Sequence, residues 1–255
     1  MTTDGEREPS LLERVDLALA SRMVEGGVPH EAIASAQRVS DAVRRPAHGD
    51  AAFVAALLRL HGFVVDDDDA RAVLAGRQCR LEPVHQEYRL VRGLAAALRA
   101  TRERASAGRA PDGWFAVDLW KLMTADLPRF RNNEIRRGQP WDSVLYVNYP
   151  APDQLRFLLD VFDAEHSYRD QPLLFHAQHP VRQGFRILWR FARIAPFPDF
   201  NVVMGWLLMN GWLLHKGYPL LVPEPPDQVM LARLLGGPPP TRLVQFERRL
   251  LSAVG

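Results

Sequence analysis

Two polar side chains lie in an otherwise apolar segment, and their types suit metal, phosphate or proton chemistry. Residues 193–223 read RIAPFPDFNVVMGWLLMNGWLLHKGYPLLVP, and within 195–206 only Asp199 and Asn201 are polar. A carboxylate can hold a cation, and a carboxylate among apolar neighbours is a candidate general acid or base. The rest of 195–206 supplies no cationic or hydroxyl group that would bind an anion.

Helices are predicted to position these groups, because apolar residues recur at three- and four-residue steps along most of the chain. One strand is predicted at 143–152, where β-branched and aromatic residues are bounded by Pro140 and Pro150. The expected fold class is all-α with a short β flap, as a single domain with an N-terminal helical extension. The predicted helices cover 10–25, 30–45, 51–62, 70–75, 84–105, 114–130, 153–166, 179–194, 202–214 and 241–254.

The acidic run at 66–69 has the composition of a calcium site but not its pattern. A calcium-binding loop needs alternating ligands and a distal Glu, and neither is present. The run is predicted instead to cap the helix at 70–75, where negative charge favours the positive end of the helix dipole.

Composition and charge exclude several classes of function. The chain has 255 residues, 47% hydrophobic and 24% charged, with a net charge of +2, which is typical of one large globular domain. Its basic residues are spread rather than clustered, so no nucleic-acid partner is predicted. Cys79 is the single cysteine and the start of the chain is polar, which predicts neither a disulfide nor a signal peptide. Without a long apolar run there is no membrane span, and a cytoplasmic location is expected.

Three segments in sequence order resemble the Fic (filamentation induced by cAMP) family. That family's loop reads His-Pro-Phe-x-Asp/Glu-Gly-Asn-Gly-Arg-x-x-Arg, and its first half is similar to APFPDFN at 195–201. WLLMNGWLLHKGYPLLVP at 206–223 is similar to the helix that follows the loop. HPVRQGFRILWRFARI at 179–194 is similar to the helix before it. The predicted strand lies where the family has its flap, through Val144, Leu145, Tyr146, Val147 and Asn148.

A shorter motif near the N-terminus resembles the family's autoinhibitory helix. SRMVEG at 21–26 fits Ser/Thr-x-x-x-Glu-Gly/Asn through Ser21, Glu25 and Gly26. In autoinhibited relatives the Glu pairs with the second Arg of the loop, which here is Trp206. The resemblance therefore leaves Glu25 without its inherited partner.

The resemblance also implies which functional groups the loop lacks. The family's catalytic His is replaced by Ala195, whereas its magnesium-holding acid is retained as Asp199. Both glycines and both arginines that meet ATP are replaced, so ordinary adenylyl transfer is predicted to be absent. ATP and magnesium are doubtful for the same reason, and no cofactor is predicted. The residues expected to form the altered pocket are Phe197, Phe200, Asn201, Val202, Val203, Met204 and Trp206.

No histidine is an evident replacement for the missing base. His166 and His176 are open candidates, whereas His179 is interpreted as a helix start. His61 and His215 are interpreted as cations at helix ends, where the dipole favours them. Since no pair of histidines has metal-binding spacing, no metal site is predicted.

Two classes of function remain open. The first is a non-adenylylating protein that binds or regulates a protein partner. The second is a repurposed enzyme or a binder of an apolar small molecule, with Asp199 as its acid or base; weak residual nucleotide binding is a lesser alternative. A loop filled by its own side chains favours the first class and an open apolar cavity the second. The expected organisation is a disordered tail (1–9), an N-terminal helical region (10–110), a Fic-like core (111–235), and a hinge with a C-terminal helix (236–255), in an undetermined oligomeric state.

Overall fold

The structure is a computed structural model that describes residues 49–131, 134–143, 147–162, 180–218 and 220–223. Several predictions therefore lie outside the described residues. These are the helices at 10–25, 30–45 and 241–254, the inhibitory motif with Ser21, Glu25 and Gly26, the flap residues Val144, Leu145 and Tyr146, and the open candidates His166 and His176.

Seven α-helices make up most of the described part of the chain, which confirms the mainly helical fold class. Two short 3₁₀ turns are also present, Pro128–Phe130 and Pro152–Gln154, and the second leads directly into the helix that starts at Leu155. The helices are α1 (Asp50–His61), α2 (Asp67–Leu74), α3 (Gln86–Ser106), α4 (Gly113–Thr124), α5 (Leu155–Asp160), α6 (Pro180–Ile194) and α7 (Asn201–His215).

Local sequence sets several helix ends. The Asp66 carboxylate accepts a hydrogen bond from the Asp69 amide at 2.7 Å, so the acidic run does cap α2. The Asp112 carboxylate caps α4 in the same way, through the Phe115 amide at 2.7 Å. Gly62 ends α1 in the left-handed conformation, with φ of 107°.

Three predicted elements differ from the structure in extent, and α2 also starts at Asp67 rather than at residue 70. The helix expected at 114–130 ends at Thr124, because the proline at 128 forces the residue before it into an extended conformation. The helix expected from 153 starts instead as a 3₁₀ turn, and its α-helical part ends at Asp160. The described end of the predicted strand, 147–150, is irregular rather than extended in a sheet.

Helix α7 is the centre of the core and packs against α6, α3, α1 and α4. It is apolar all round, and every residue from 203 to 213 is buried. Such a helix is stable only when it is enclosed by other elements. Its N-terminus therefore emerges at a fixed position between α1 and the loop that leaves α6.

A close approach of two backbones fixes α3 against α4. A Cβ atom placed on Gly93 would lie 2.1 Å from the carbonyl oxygen of Met123, closer than any real Cβ contact. Only glycine lets the two helices pack at this distance. Helix α4 in turn supplies the Trp120 ring, which stacks on Phe197 in the loop after α6.

Candidate functional site

The loop 195–200 joins α6 to α7 and contains two residues with left-handed backbone. Ala195 has φ of 44° and Phe200 has φ of 60°, a region that costs a non-glycine residue about 1–2 kcal/mol. Both side chains are buried. The surrounding packing must therefore impose this conformation, since neither residue favours it.

A buried arginine from outside the loop holds its first half. The Arg136 guanidinium, 4% exposed, donates to the carbonyl of Ala195 at 2.6 Å, to that of Gly138 at 2.7 Å and to that of Pro150 at 2.7 Å. The Arg136 amide also donates to the carbonyl of Pro196 at 2.9 Å. Burial lowers the pKa of Arg136, and the nearby Tyr149 and Asp142 oppose that effect. One side chain thus joins the loop to the segment that leads into the flap.

The second half of the loop is held by Asp142 and Asn201. The Asp142 carboxylate accepts hydrogen bonds from the Asn201 amide at 2.7 Å and from its side-chain nitrogen at 2.8 Å. The side-chain oxygen of Asn201 accepts from the Phe197 backbone amide at 2.9 Å, and its side-chain nitrogen donates to the Phe197 carbonyl at 3.0 Å. Because Phe200 in the N-cap position makes no side-chain cap, Asp142 caps α7 from 59 residues away.

Asp199 is buried at the centre of the loop and contacts three groups. One of its oxygens accepts from the Phe200 amide at 2.9 Å and lies 3.2 Å from Nε2 of His61. The other accepts from Nη2 of Arg129 at 3.2 Å. With Asp142 close by, the ligand atoms of His61, Asp142 and Asp199 all lie within 4.8 Å of one another.

The two carboxylates of this group interact unfavourably. Burial raises the pKa of Asp142 above its ordinary value, and the neighbouring Asp199 carboxylate adds to the rise. The hydrogen bonds from Asn201 and the proximity of His61 act in the opposite direction without cancelling it. The two carboxylates therefore repel each other when both are ionised.

Aromatic side chains fill the space around the loop. The Phe200 ring stacks on His61 with 4.1 Å between ring centroids and meets Phe130 edge-on at 5.9 Å. The Phe197 ring stacks on Trp120 at 5.2 Å. Phe197, Phe200, Val203, Met204 and Trp206 have no exposed surface, whereas Val202 is half-buried. The loop is thus filled by its own side chains rather than open as an apolar cavity.

The structure brings the predicted polar pair together with residues that sequence reasoning missed. Asp199 belongs to the group with His61 and Asp142, and Asn201 donates two hydrogen bonds to Asp142. Ala195 lies in the same loop, bonded through its carbonyl to Arg136. His61 was correctly placed at a helix end, but its contact with Asp199 was not foreseen. Asp142 was missed altogether. In the flap, Val147 is half-buried and Asn148 is exposed.

Comparison with solved structures identifies the fold. The chain superimposes on a Fic-domain-containing signaling protein from Bacteroides thetaiotaomicron with a TM-score of 0.64 and 17% identity, covering 86% of this chain and 95% of that one. It matches Fic-1 from C. elegans with a TM-score of 0.61 and 16% identity, over 97% and 76% of the two chains. A Fic family protein from Desulfovibrio desulfuricans gives 0.51 and 16%, over 95% and 71%. No family model matches the sequence, and no curated protein does.

These identities are low, so the likeness concerns the fold. Within the described helices, none combines the length and the apolar character that crossing a bilayer requires.

Proposed function

We propose that this chain, which has the Fic fold, does not transfer adenylyl groups and acts instead by binding a partner protein in the cytoplasm. The observation that carries the proposal is the filled loop: Phe200, Val203 and Trp206 have no exposed surface where the family pattern has glycine and arginine. A loop of this kind offers a triphosphate neither room nor charge.

Magnitudes support the absence of transfer. A positioned general base contributes on the order of 10²- to 10⁴-fold, and Ala195 has no basic group. Each missing donor to developing phosphate charge costs roughly 3–4 kcal/mol, on the scale of one oxyanion-hole donor. A phosphate placed among Val203, Met204 and Trp206 would also lose its hydration without compensating hydrogen bonds.

Magnesium–ATP does not fit the residues present. The left-handed backbone at Phe200 is the one a glycine would adopt, but a phenyl ring stacked on His61 now fills the adjoining space. No basic side chain is present within 195–206 to hold the phosphates of a magnesium-bound nucleotide. We therefore assign no reaction step to a nucleotide here.

An exposed tryptophan beside the loop supports a protein partner. The Trp141 side chain is 58% exposed, although its amide donates to the carbonyl of Pro198 at 2.7 Å. Its ring lies 5.6 Å from that of Phe130, with the Arg129 guanidinium 5.7 Å away. Exposed tryptophan and arginine on a rigid backbone are the residues most often found at binding hot spots.

Nucleotide binding gives the first test of the proposal. We expect millimolar ATP with magnesium to leave the melting temperature of the chain unchanged, whereas a ligand at 100 times its Kd would add about 2.7 kcal/mol of stability. Incubation with labelled ATP should label neither the chain nor a lysate, and Ala195→His should not restore labelling because the filled loop still excludes the nucleotide. A thermal shift that Asp199→Ala abolishes, or labelling by the parent chain, would refute the first half of the proposal.

Partner binding is tested at the flap. A photo-crosslinking amino acid at the exposed position of Asn148 should capture a partner from the native host, and Trp141→Ala should weaken capture by roughly 30-fold or more, the scale of a 2 kcal/mol hot spot. Trp114→Ala is the matched control, since Trp114 is 45% exposed on α4. If the crosslinking chain captured the partner equally well with Trp141 intact, with Trp141→Ala and with Trp114→Ala, this surface would not be the binding site.

A further inference from the structure

We propose that His61, Asp142 and Asp199 form a binding site for one divalent transition-metal ion, with zinc as its best occupant. The inference goes beyond the proposed function, because it requires neither a nucleotide nor a partner protein. It rests on three ligand atoms that come from separate elements: the end of α1, the segment before the flap, and the loop before α7.

Distances between these atoms suit a small ion. Nε2 of His61 lies 3.2 Å from an oxygen of Asp199, and all three ligand atoms fall within 4.8 Å of one another. Two ligands about 2.0–2.1 Å from a tetrahedral zinc ion are about 3.4 Å apart. The His61 and Asp199 ligand atoms therefore need almost no movement to bind one zinc ion. Asp142 needs to shift by less than about 1.5 Å to reach the same separation.

Surrounding contacts hold the ligands in place. Stacking on Phe200 at 4.1 Å and on Phe63 at 5.5 Å fixes the plane of the His61 ring. Asn201 orients the Asp142 carboxylate through two hydrogen bonds, and a carboxylate oxygen that accepts one hydrogen bond keeps a second lone pair for a metal. Such outer contacts are what preserve metal-site geometry in proteins.

Charge favours a cation at this position. Two carboxylates lie close together; Arg129 reaches Asp199 from a side chain that is 44% exposed, and the buried Arg136 lies near Asp142. A divalent ion would neutralise both carboxylates and leave Arg129 free to turn toward solvent. Zinc at Nε2 of His61 requires a free lone pair there, so any proton on Nε2 either leaves or moves to Nδ1.

The ligand types select zinc over magnesium. One imidazole and two carboxylates suit a borderline ion, whereas magnesium prefers oxygen ligands in an octahedral arrangement and retains several waters. Three protein ligands would leave one coordination position of zinc for water or a bound group.

The test uses the full, tag-free chain stripped with EDTA. We expect it to bind one zinc ion per chain, measured by mass spectrometry of the metal after gel filtration, and to gain thermal stability. His61→Phe keeps a stacking ring and removes the ligand, and Asp199→Asn keeps the shape. Both should bind zinc at least about a hundredfold more weakly, since even outer-shell changes cost about 10- to 100-fold.

Two controls separate this site from adventitious binding. His85→Gln alters another histidine, at an exposed position before α3, and should leave zinc affinity unchanged. Cobalt bound to the parent chain should give the visible bands of a tetrahedral nitrogen–oxygen site without the near-ultraviolet band of a thiolate, which distinguishes it from binding at Cys79. The spectrum tests the site even if a variant does not fold. Full zinc affinity in His61→Phe, a thiolate band, or no zinc bound by the folded parent would overturn the proposal.

Discussion

Replacing Arg136 by methionine is expected to lower the free energy of unfolding by about 3–5 kcal/mol. Methionine fills the buried volume, but the carbonyls of Ala195, Gly138 and Pro150 lose their donor, at about 1–3 kcal/mol for each buried group left unsatisfied. Removal of the buried charge offsets part of that loss. Urea denaturation of the two chains measures the difference as a shift of the midpoint at constant m-value.

Two further variants make this prediction specific to the hydrogen bonds. Arg136→Lys should lose an intermediate amount, because an ammonium group cannot reach three diverging carbonyls as the planar guanidinium does. Arg137→Met changes the neighbouring, exposed arginine and should stay within about 0.5 kcal/mol of the parent. If Arg136→Met were as stable as Arg137→Met, the loop would not depend on the buried arginine.

Replacing Phe200 by alanine is expected to cost about 3–5 kcal/mol, the range for a buried aromatic side chain. Replacement by glycine should cost less, by roughly 0.5–1 kcal/mol. Glycine relieves the 1–2 kcal/mol that a left-handed backbone costs a residue with a Cβ, and loses only about 0.5–1 kcal/mol in additional chain entropy. Thermal or urea unfolding of both variants tests this order.

The control for Phe200 is Phe191, which is equally buried but lies in the interior of α6. There glycine should be worse than alanine by about 1 kcal/mol, the usual difference within a helix. The order of the two substitutions therefore reverses between the two sites. The same order at both would mean that the backbone at Phe200 carries no strain in solution.

Sequence reasoning was most successful where one segment contains all the relevant information. The end of α1 at Gly62 and the N-cap of α2 at Asp66 follow from local capping chemistry. The loop and its flanking helices were found because the resemblance to the family pattern continues through them without a gap. The run of apolar residues after Asn201 correctly indicated a buried helix.

The rest of the site depends on contacts between distant segments. Asp142 lies 59 residues from the helix it caps, and His61 ends α1, whereas both carboxylates lie outside the helices. No spacing rule connects such positions. The left-handed backbone at Phe200 was equally hidden, because a phenylalanine gives no local sign of a conformation typical of glycine.

The segment from Arg136 to Asp142 is joined to the loop at successive points. The Arg136 amide bonds Pro196, the Trp141 amide bonds Pro198, and Asp142 bonds Asn201. Bonds arranged in this order must break together, so the two segments form one unit of local opening rather than two independent loops. A partner bound to the exposed ring of Trp141 would then slow amide exchange at the start of α7.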